Sequence, residues 1–187
     1  MRSLAAALCL ALALGGCAST PPVPPVDMGV PLPANWTLQG RIGIQSGEQS
    51  LSGTLQWQHR AETDELLMTS PLGQGVARIV RNAGGVTLEM PNQPLRHASD
   101  AETLTREALG YGLPVSGLMW WVQGRPDPDR PFEATHDSAG RIAQLKQDGW
   151  VIDYLQFAPD APARPRKLVV AREGLEIRLV ADSWQAE

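Results

Sequence analysis

Cysteine is scarce in this chain of 187 residues, which contains two. Cys9 lies inside an apolar N-terminal segment that we expect to be removed, so the remaining chain would keep Cys17 alone. A single thiol excludes an intramolecular disulfide, although proteins exported to oxidising compartments commonly form them. The best explanation of one retained cysteine is that its thiol is chemically modified.

Motifs of the common catalytic and nucleotide-binding sites are also absent. The sequence has no G-x-x-x-x-G-K-[ST], no G-x-G-x-x-G and no G-x-S-x-G. Ser50 and Ser52 lie in a predicted strand with no marked base beside them. The three histidines lie in or near predicted turns without metal-ligand spacing, and we expect each to be hydrogen-bonded or exposed: His59, His97 and His136. We therefore expect no catalytic residue, no metal and no cofactor.

An excess of basic residues is missing as well. The chain has a formal net charge of −4, and with Arg2 removed 15 basic residues remain against 20 acidic ones, a net charge of −5. This balance argues against nucleic acid as a partner and provides no polybasic patch for anionic lipid.

The apolar run after Arg2 is too short to cross a bilayer. "LAAALCLALAL" with the following "GG" has 13 residues, whereas a transmembrane helix needs roughly 20. The segment is typical of a secretory signal, and "LGGC" at residues 14–17 resembles the lipobox of bacterial lipoproteins, whose cysteine takes a diacylglycerol. By the same resemblance, Ala18 after the cysteine indicates sorting to the outer membrane. The alternative is an ordinary secreted protein with an incidental cysteine.

A proline-rich segment follows Cys17. Residues 18–34 contain six prolines and show no helical or strand pattern; extended, they would reach about 50 Å at roughly 3.1 Å per residue. We therefore divide the chain into a signal peptide at residues 1–16, an acylated cysteine with a tether at residues 17–34, and one folded domain at residues 35–187.

Two-residue periodicity predicts that this domain is mainly an antiparallel sheet. Short turns separate the apolar-alternating segments, and parallel neighbours would need long crossovers. A sheet of this length is expected to curl. About ten strands are predicted, at residues 36–44, 51–57, 65–70, 75–81, 84–90, 132–137, 141–147, 150–157, 166–172 and 175–184.

Helical periodicity interrupts the strands in mid-chain. Ser99 and Glu102 have the spacing of a capping box, which predicts a helix over residues 100–109. In "VSGLMWWVQG" a second helix would present one apolar stripe, with Trp121 beside it and Trp120 pointing away. That stripe consists of Val115, Leu118, Met119 and Val122.

Tryptophan dominates the aromatic residues, with six against two tyrosines and two phenylalanines. Indoles provide large apolar surfaces that suit a packed core and also the wall of a lipid cavity. For each indole taken alone, core packing is the simpler interpretation.

Taken in order, these segments resemble the LolB family of outer-membrane lipoprotein receptors. The resemblance runs from about Trp36 to Trp184 and is carried by the lipobox, "LQW" with Trp57, "SPLG", "MWWVQGRP", "DGWVIDY" with Trp150, and "DSW". The tether is unusually proline-rich for the family. The resemblance implies an unclosed antiparallel β-barrel of ten or eleven strands capped by short helices.

The resemblance also implies a function without catalysis. A monomeric receptor, lipid-anchored through Cys17 on the periplasmic face of the outer membrane, would take acylated lipoproteins from the soluble carrier LolA. It would release them into the inner leaflet of that membrane. Leu72 in "TSPLGQG" matches the family's protruding loop leucine and is expected to probe the lipid surface. Candidate acyl-cavity and lid residues are Leu38, Ile42, Leu55, Trp57, Leu118, Trp121 and Trp150.

A different class of protein remains possible at this point. The same sequence is compatible with a scaffolding outer-membrane lipoprotein that has a solid core, no lipid cavity and a sheet edge for a partner. A separate alternative for Leu72 is a side chain folded back onto the sheet under its turn.

Overall fold

The computed structural model describes residues 33–159 and 163–186. Six strands come first, β1 (Asn35–Ser46), β2 (Gln49–Arg60), β3 (Thr63–Thr69), β4 (Gly75–Asn82), β5 (Gly85–Glu89) and β6 (Arg96–Ala98). Two helices follow, α1 (Ala101–Leu109) and α2 (Val115–Trp121). The chain ends in β7 (Phe132–His136), β8 (Ile142–Gln147), β9 (Trp150–Phe157), β10 (Pro165–Arg172) and β11 (Leu175–Ala186).

All eleven described strands form one antiparallel sheet, in the order β6-β5-β4-β3-β2-β1-β11-β10-β9-β8-β7. The first and last strands are neighbours at its centre, so β1–β6 and β7–β11 build two halves. The outermost strands, β6 and β7, lie at opposite edges, and the sheet is therefore unclosed. This confirms the predicted fold class. The sequence prediction missed only β6, which at three residues is too short to show an alternating pattern.

One face of the sheet is mainly apolar, as the alternation predicted. In β1 the inward positions from Trp36 to Ile44 are all buried, and in β11 Leu175, Ile177 and Leu179 are buried while Arg178 is exposed. The central strands β1 and β11 thus contribute to the core together with their neighbouring strands and both helices.

The first hairpin is tighter than the sequence indicated. Strands β1 and β2 pair up to Ser46 and Gln49, which leaves a two-residue turn, whereas the predicted strands left residues 45–50 between them. Gly47 adopts φ +57°, a value that suits glycine and the sharp turns of two-residue hairpins. Both strands are therefore longer than predicted.

The predicted helices are present with small corrections. The N-cap of α1 is Asp100, not Ser99, because the Asp100 side chain accepts a 2.8 Å hydrogen bond from the Thr103 amide. Gly110 ends the helix in the left-handed conformation. Helix α2 has no side-chain cap and is only seven residues long, so its position depends on tertiary contacts. Neither described helix has the length and hydropathy needed to span a membrane.

Candidate functional site

The residues predicted to line an acyl cavity lie together in the core. All seven belong to a single buried cluster between the apolar sheet face and the helices, and none is more than 7% exposed: Leu38, Ile42, Leu55, Trp57, Leu118, Trp121 and Trp150. They come from β1, β2, α2 and β9, so both halves of the sheet contribute. The structure brings them together in one core, and their contact with acyl chains stays a prediction.

Trp121 fastens the end of α2 to the C-terminal half of the sheet. Its indole nitrogen donates a 2.9 Å hydrogen bond to Oε1 of Gln147, and its ring lies 6.3 Å from that of Trp150. The Tyr154 hydroxyl donates a 3.0 Å hydrogen bond to the Trp121 carbonyl. Burial raises the pKa of Tyr154, which keeps the phenol neutral and able to donate.

Gln147 also holds the connection that follows α2. Its Oε1 accepts a second hydrogen bond from the Asp127 amide at 2.9 Å, and its Nε2 donates to the carbonyls of Asp127 and Arg130 at 2.9 and 3.2 Å. Gln147 is only 3% exposed. One buried amide on β8 therefore connects α2, the following loop and the sheet.

The other flank of α2 faces a groove. Met119 and Trp120 are half-buried there, whereas the expected stripe placed Met119 fully on the sheet. Together with residues of β1, β2 and β4 they line a groove of about 470 Å³. Its wall includes Trp36, His59 and Arg81. The remaining stripe residues, Val115, Leu118 and Val122, are buried as predicted.

A buried carboxylate beside this groove was not predicted. Asp64 on β3 is fully buried, and its Oδ1 lies 2.9 Å from both the Trp57 indole nitrogen and Nδ1 of His59. Its Oδ2 accepts from Nε of Arg81 at 3.0 Å and also from Nη2. Its position in the sequence could have predicted its burial, because Asp64 alternates with the inward-facing residues Leu66 and Met68.

The three histidines are hydrogen-bonded or exposed, as expected from the sequence. His59 is hydrogen-bonded to Asp64 and stacks on Trp36 with ring centroids 5.3 Å apart. His97 and His136 are exposed. Within residues 33–159 and 163–186, no group of three or more His, Cys, Asp or Glu residues has the arrangement of a metal site.

Leu72 stands out from the β3–β4 turn into solvent, with 88% of its surface exposed. The turn is closed by hydrogen bonds from the Ser70 amide to the Gln74 carbonyl and from the Gly73 amide to the Ser70 carbonyl, both 2.8 Å. Gly73 has φ +80°, which fits a three-residue hairpin connection with a glycine bulge. This geometry excludes a Leu72 folded back under its turn.

The absence of a side chain at Gly53 on β2 leaves room for the backbone that leads into this turn. A Cβ atom at Gly53 would clash with the carbonyl oxygen of Thr69 and would lie 3.5 Å from the Cα of Ser70. Glycine at this position therefore lets the end of β3 cross closely over β2 just before Leu72.

Cys17, the predicted lipidation site, and the signal peptide lie outside the described residues. The lipid anchor stays a prediction.

A family model and two sequence relatives of this chain carry the same family name. The family model described as outer membrane lipoprotein LolB matches residues 34–184. An outer-membrane lipoprotein LolB from Thiobacillus denitrificans is 60% identical over 186 residues, covering 100% of this chain and 99% of the relative. One from Pseudomonas putida is 40% identical over 151 residues, covering 80% and 74%.

Solved structures with the same architecture have little sequence in common with this chain. A LolA-superfamily protein from Nitrosomonas europaea superposes with a TM-score of 0.53 at 10% identity, covering 86% of this chain and 89% of that one. A DUF1329-family protein from Desulfovibrio piger gives a TM-score of 0.56 at 7% identity, covering 83% and 86%. The chain thus shares its fold with these two proteins, and by its family model and sequence relatives it belongs to the LolB family of outer-membrane lipoproteins.

Proposed function

We propose that this protein is the outer-membrane receptor that accepts lipoproteins from a LolA-type carrier and inserts them into the inner leaflet of that membrane. Family membership supports a role in lipoprotein sorting at the outer membrane. The observation that supports the receptor role most directly is the apolar sheet face, which two short helices cover. The proposal assigns it no catalytic step.

Acyl chains need such an interior in order to cross an aqueous space. Three chains of ordinary length have on the order of 40 CH₂ groups, and at about 0.8 kcal/mol each their exposure to water would cost roughly 30 kcal/mol. Transfer must therefore run from one apolar environment to the next. Since the sequence has no nucleotide-binding motif, each step is downhill: the receptor binds more tightly than the carrier, and the membrane more tightly than the receptor.

Uptake requires the covering helices to move. The proposed acyl-contacting side chains are at most 7% exposed, so an incoming chain reaches them only when the helices separate from the sheet. The groove beside Met119 and Trp120 is the proposed entrance, because it opens between α2 and the N-terminal half of the sheet. Cargo would then replace apolar contacts that the helices make in the closed state.

Leu72 acts in release under this proposal. Burying one leucine contributes about 1.5–3 kcal/mol, far less than a lipid anchor supplies. Its proposed role is therefore to enter the lipid surface and orient the interior toward the bilayer, while Cys17 retains the protein at the periplasmic face.

The decisive experiment mixes the purified receptor with a lipoprotein-loaded carrier and follows the cargo. Transfer to the receptor, followed by transfer from the receptor to liposomes in a flotation assay, is the expected result. A receptor that takes no cargo from a loaded carrier would contradict the proposal. Saturable binding of a fluorescent fatty acid separates it from the scaffold alternative, since a solid core would show none.

The anchor is tested by Cys17→Ala. The variant should lose its acyl groups and its membrane association, which fractionation and mass spectrometry measure. It should still accept cargo, because the interior and not the anchor holds the acyl chains. Unchanged membrane association would refute the lipobox interpretation and leave the cargo-binding proposal standing.

A further inference from the structure

The end of the sheet that carries Leu72 presents a second exposed leucine. Leu95 has 67% of its surface exposed and lies in the connection between β5 and β6. In an antiparallel sheet the β3–β4 turn and the β5–β6 connection leave from the same end. The third large apolar side chain exposed among the described residues, Leu155 at 57%, lies on β9 in the other half of the sheet.

The two connections border one surface depression. A groove of about 650 Å³ is lined by Gly75, which follows the Leu72 turn, and by the β5–β6 connection up to Leu95. Leu67, Met90 and Pro91 also line it. The exposed leucines therefore flank a single, partly apolar surface.

Charge is absent from both connections. Residues 70–75, "SPLGQG", and residues 90–95, "MPNQPL", contain no acidic or basic side chain. The charged groups in the wall of the groove are Arg78 and Glu89, which lie on the strands and pair with each other at 3.5 Å. Two uncharged connections with protruding leucines can enter the apolar layer of a bilayer without the cost of desolvating an ion.

We propose that Leu95 and its connection form a second contact with the lipid surface, alongside Leu72. This inference rests on the proposed function, since it takes Leu72 to be a membrane probe. A single inserted side chain leaves the domain free to rotate and tilt about that point. Two insertion points on adjacent connections restrict this rotation, so the same end of the sheet faces the bilayer during release.

Depth-dependent fluorescence quenching tests the contact in the full-length, membrane-reconstituted protein. Single cysteines are introduced as Leu72→Cys, Leu95→Cys and Leu155→Cys, labelled with NBD, and placed in phosphatidylethanolamine–phosphatidylglycerol vesicles with doxyl-labelled lipid. The parent chain, treated identically, corrects for label at its own cysteines. We expect quenching at positions 72 and 95 and none at 155.

Delivery provides the second measurement. Leu95→Glu should slow receptor-to-liposome transfer on the order of threefold to tenfold, consistent with partial burial of one leucine, and should leave acceptance from the carrier unchanged. The matched Leu155→Glu variant should deliver normally.

The outcomes separate this inference from the proposed function. Quenching at 72 without quenching at 95 overturns the second contact and leaves the Leu72 probe intact. No quenching at either position overturns both contacts, while carrier-to-receptor transfer independently tests the receptor role. Equal quenching at 95 and 155 would show only general proximity to the membrane, and that result also overturns the inference.

Discussion

Each half of the sheet contains one buried polar side chain that accepts a hydrogen bond from a buried tryptophan, and the two acceptors differ in charge. In the N-terminal half Asp64 accepts from Trp57, and in the C-terminal half Gln147 accepts from Trp121, both at 2.9 Å. Asp64 is fully buried and Gln147 is 3% exposed. Asp64 and Gln147 thus accept the same kind of hydrogen bond from an indole, but their other hydrogen-bond partners differ.

The partners of Asp64 lie on neighbouring strands. Trp57 and His59 are on β2 and Arg81 is on β4, so the carboxylate on β3 joins three adjacent strands. Gln147 reaches out of the sheet, to α2 and to the loop after it. The charged group therefore stabilises the wall, whereas the neutral group attaches the helix that covers it.

Helix α2 is consequently held unequally on its two sides. Toward β8 and β9 it has the hydrogen bonds of Trp121 with Gln147 and Tyr154. Toward β4 the described polar contact is that of Arg81 with the Met119 sulfur at 3.2 Å, and sulfur is a weak acceptor. If the helix moves to admit cargo, we expect it to lift on the Met119 side and pivot near Trp121.

The largest expected effect is that of Trp121→Ala, which removes the pivot. Truncation of a fully buried tryptophan typically costs about 3–5 kcal/mol of unfolding free energy, measurable by chemical denaturation. Acyl uptake should also weaken, seen as reduced quenching of tryptophan fluorescence by a brominated fatty acid. Trp120→Ala is the matched control for stability, because truncation of this half-buried neighbour should lower the unfolding free energy by less. Undiminished quenching in the Trp121 variant would remove this residue from the proposed site.

Asp64→Ala should rank second, at about 3 kcal/mol. The change leaves the indole of Trp57 and the guanidinium of Arg81 without their carboxylate. We place it at the low end of the range for buried pairs because the Arg81 side chain is 24% exposed and can turn to water. Hydrogen exchange should accelerate in β2–β4 with little change in α2. Faster exchange in α2 alone would contradict the division between wall and helix.

Gln147→Leu tests the other half and should cost about 2 kcal/mol, since the indole of Trp121 loses its acceptor while the loop groups can hydrate. Hydrogen exchange is expected to accelerate in α2 and to stay unchanged in β2–β4, the reverse of the Asp64 variant. Gln144→Leu is the matched control on the same strand, because Gln144 bonds Asp153 and not the helix. Equal effects of the two glutamine substitutions would show that Gln147 does not specifically hold α2.

The contacts of Asp64 and Gln147 also show which features of the molecule could be predicted from the sequence and which could not. Strand alternation, the turn glycines and the helical stripe are local patterns, so the sheet, both helices and the apolar face were predictable from residue order. The protrusion of Leu72 was expected from the resemblance to the LolB family, because the turn residues around it left a folded-back side chain open as an alternative. The contacts between strands and helices join residues that are separated in the sequence, and local patterns do not determine such contacts. The cluster of Asp64 with its three partners and the attachment of α2 through Gln147 therefore could not be derived from the sequence. A polar residue on an apolar face was the available signal for both.

The smallest expected effect on stability, and the sharpest separation of receiving from releasing, is that of Leu72→Glu. Leu72 is 88% exposed, so its replacement should change the unfolding free energy by no more than about 0.5 kcal/mol. Acceptance from the carrier should persist, because neither half of the sheet nor α2 is altered. Release should fail, because a carboxylate resists the apolar layer that leucine enters. Carrier-to-receptor transfer in solution and receptor-to-liposome flotation measure the two steps separately. Normal delivery by the stable variant would leave the turn without a role in release, and a fall of several degrees in Tm would instead make Leu72 a structural residue.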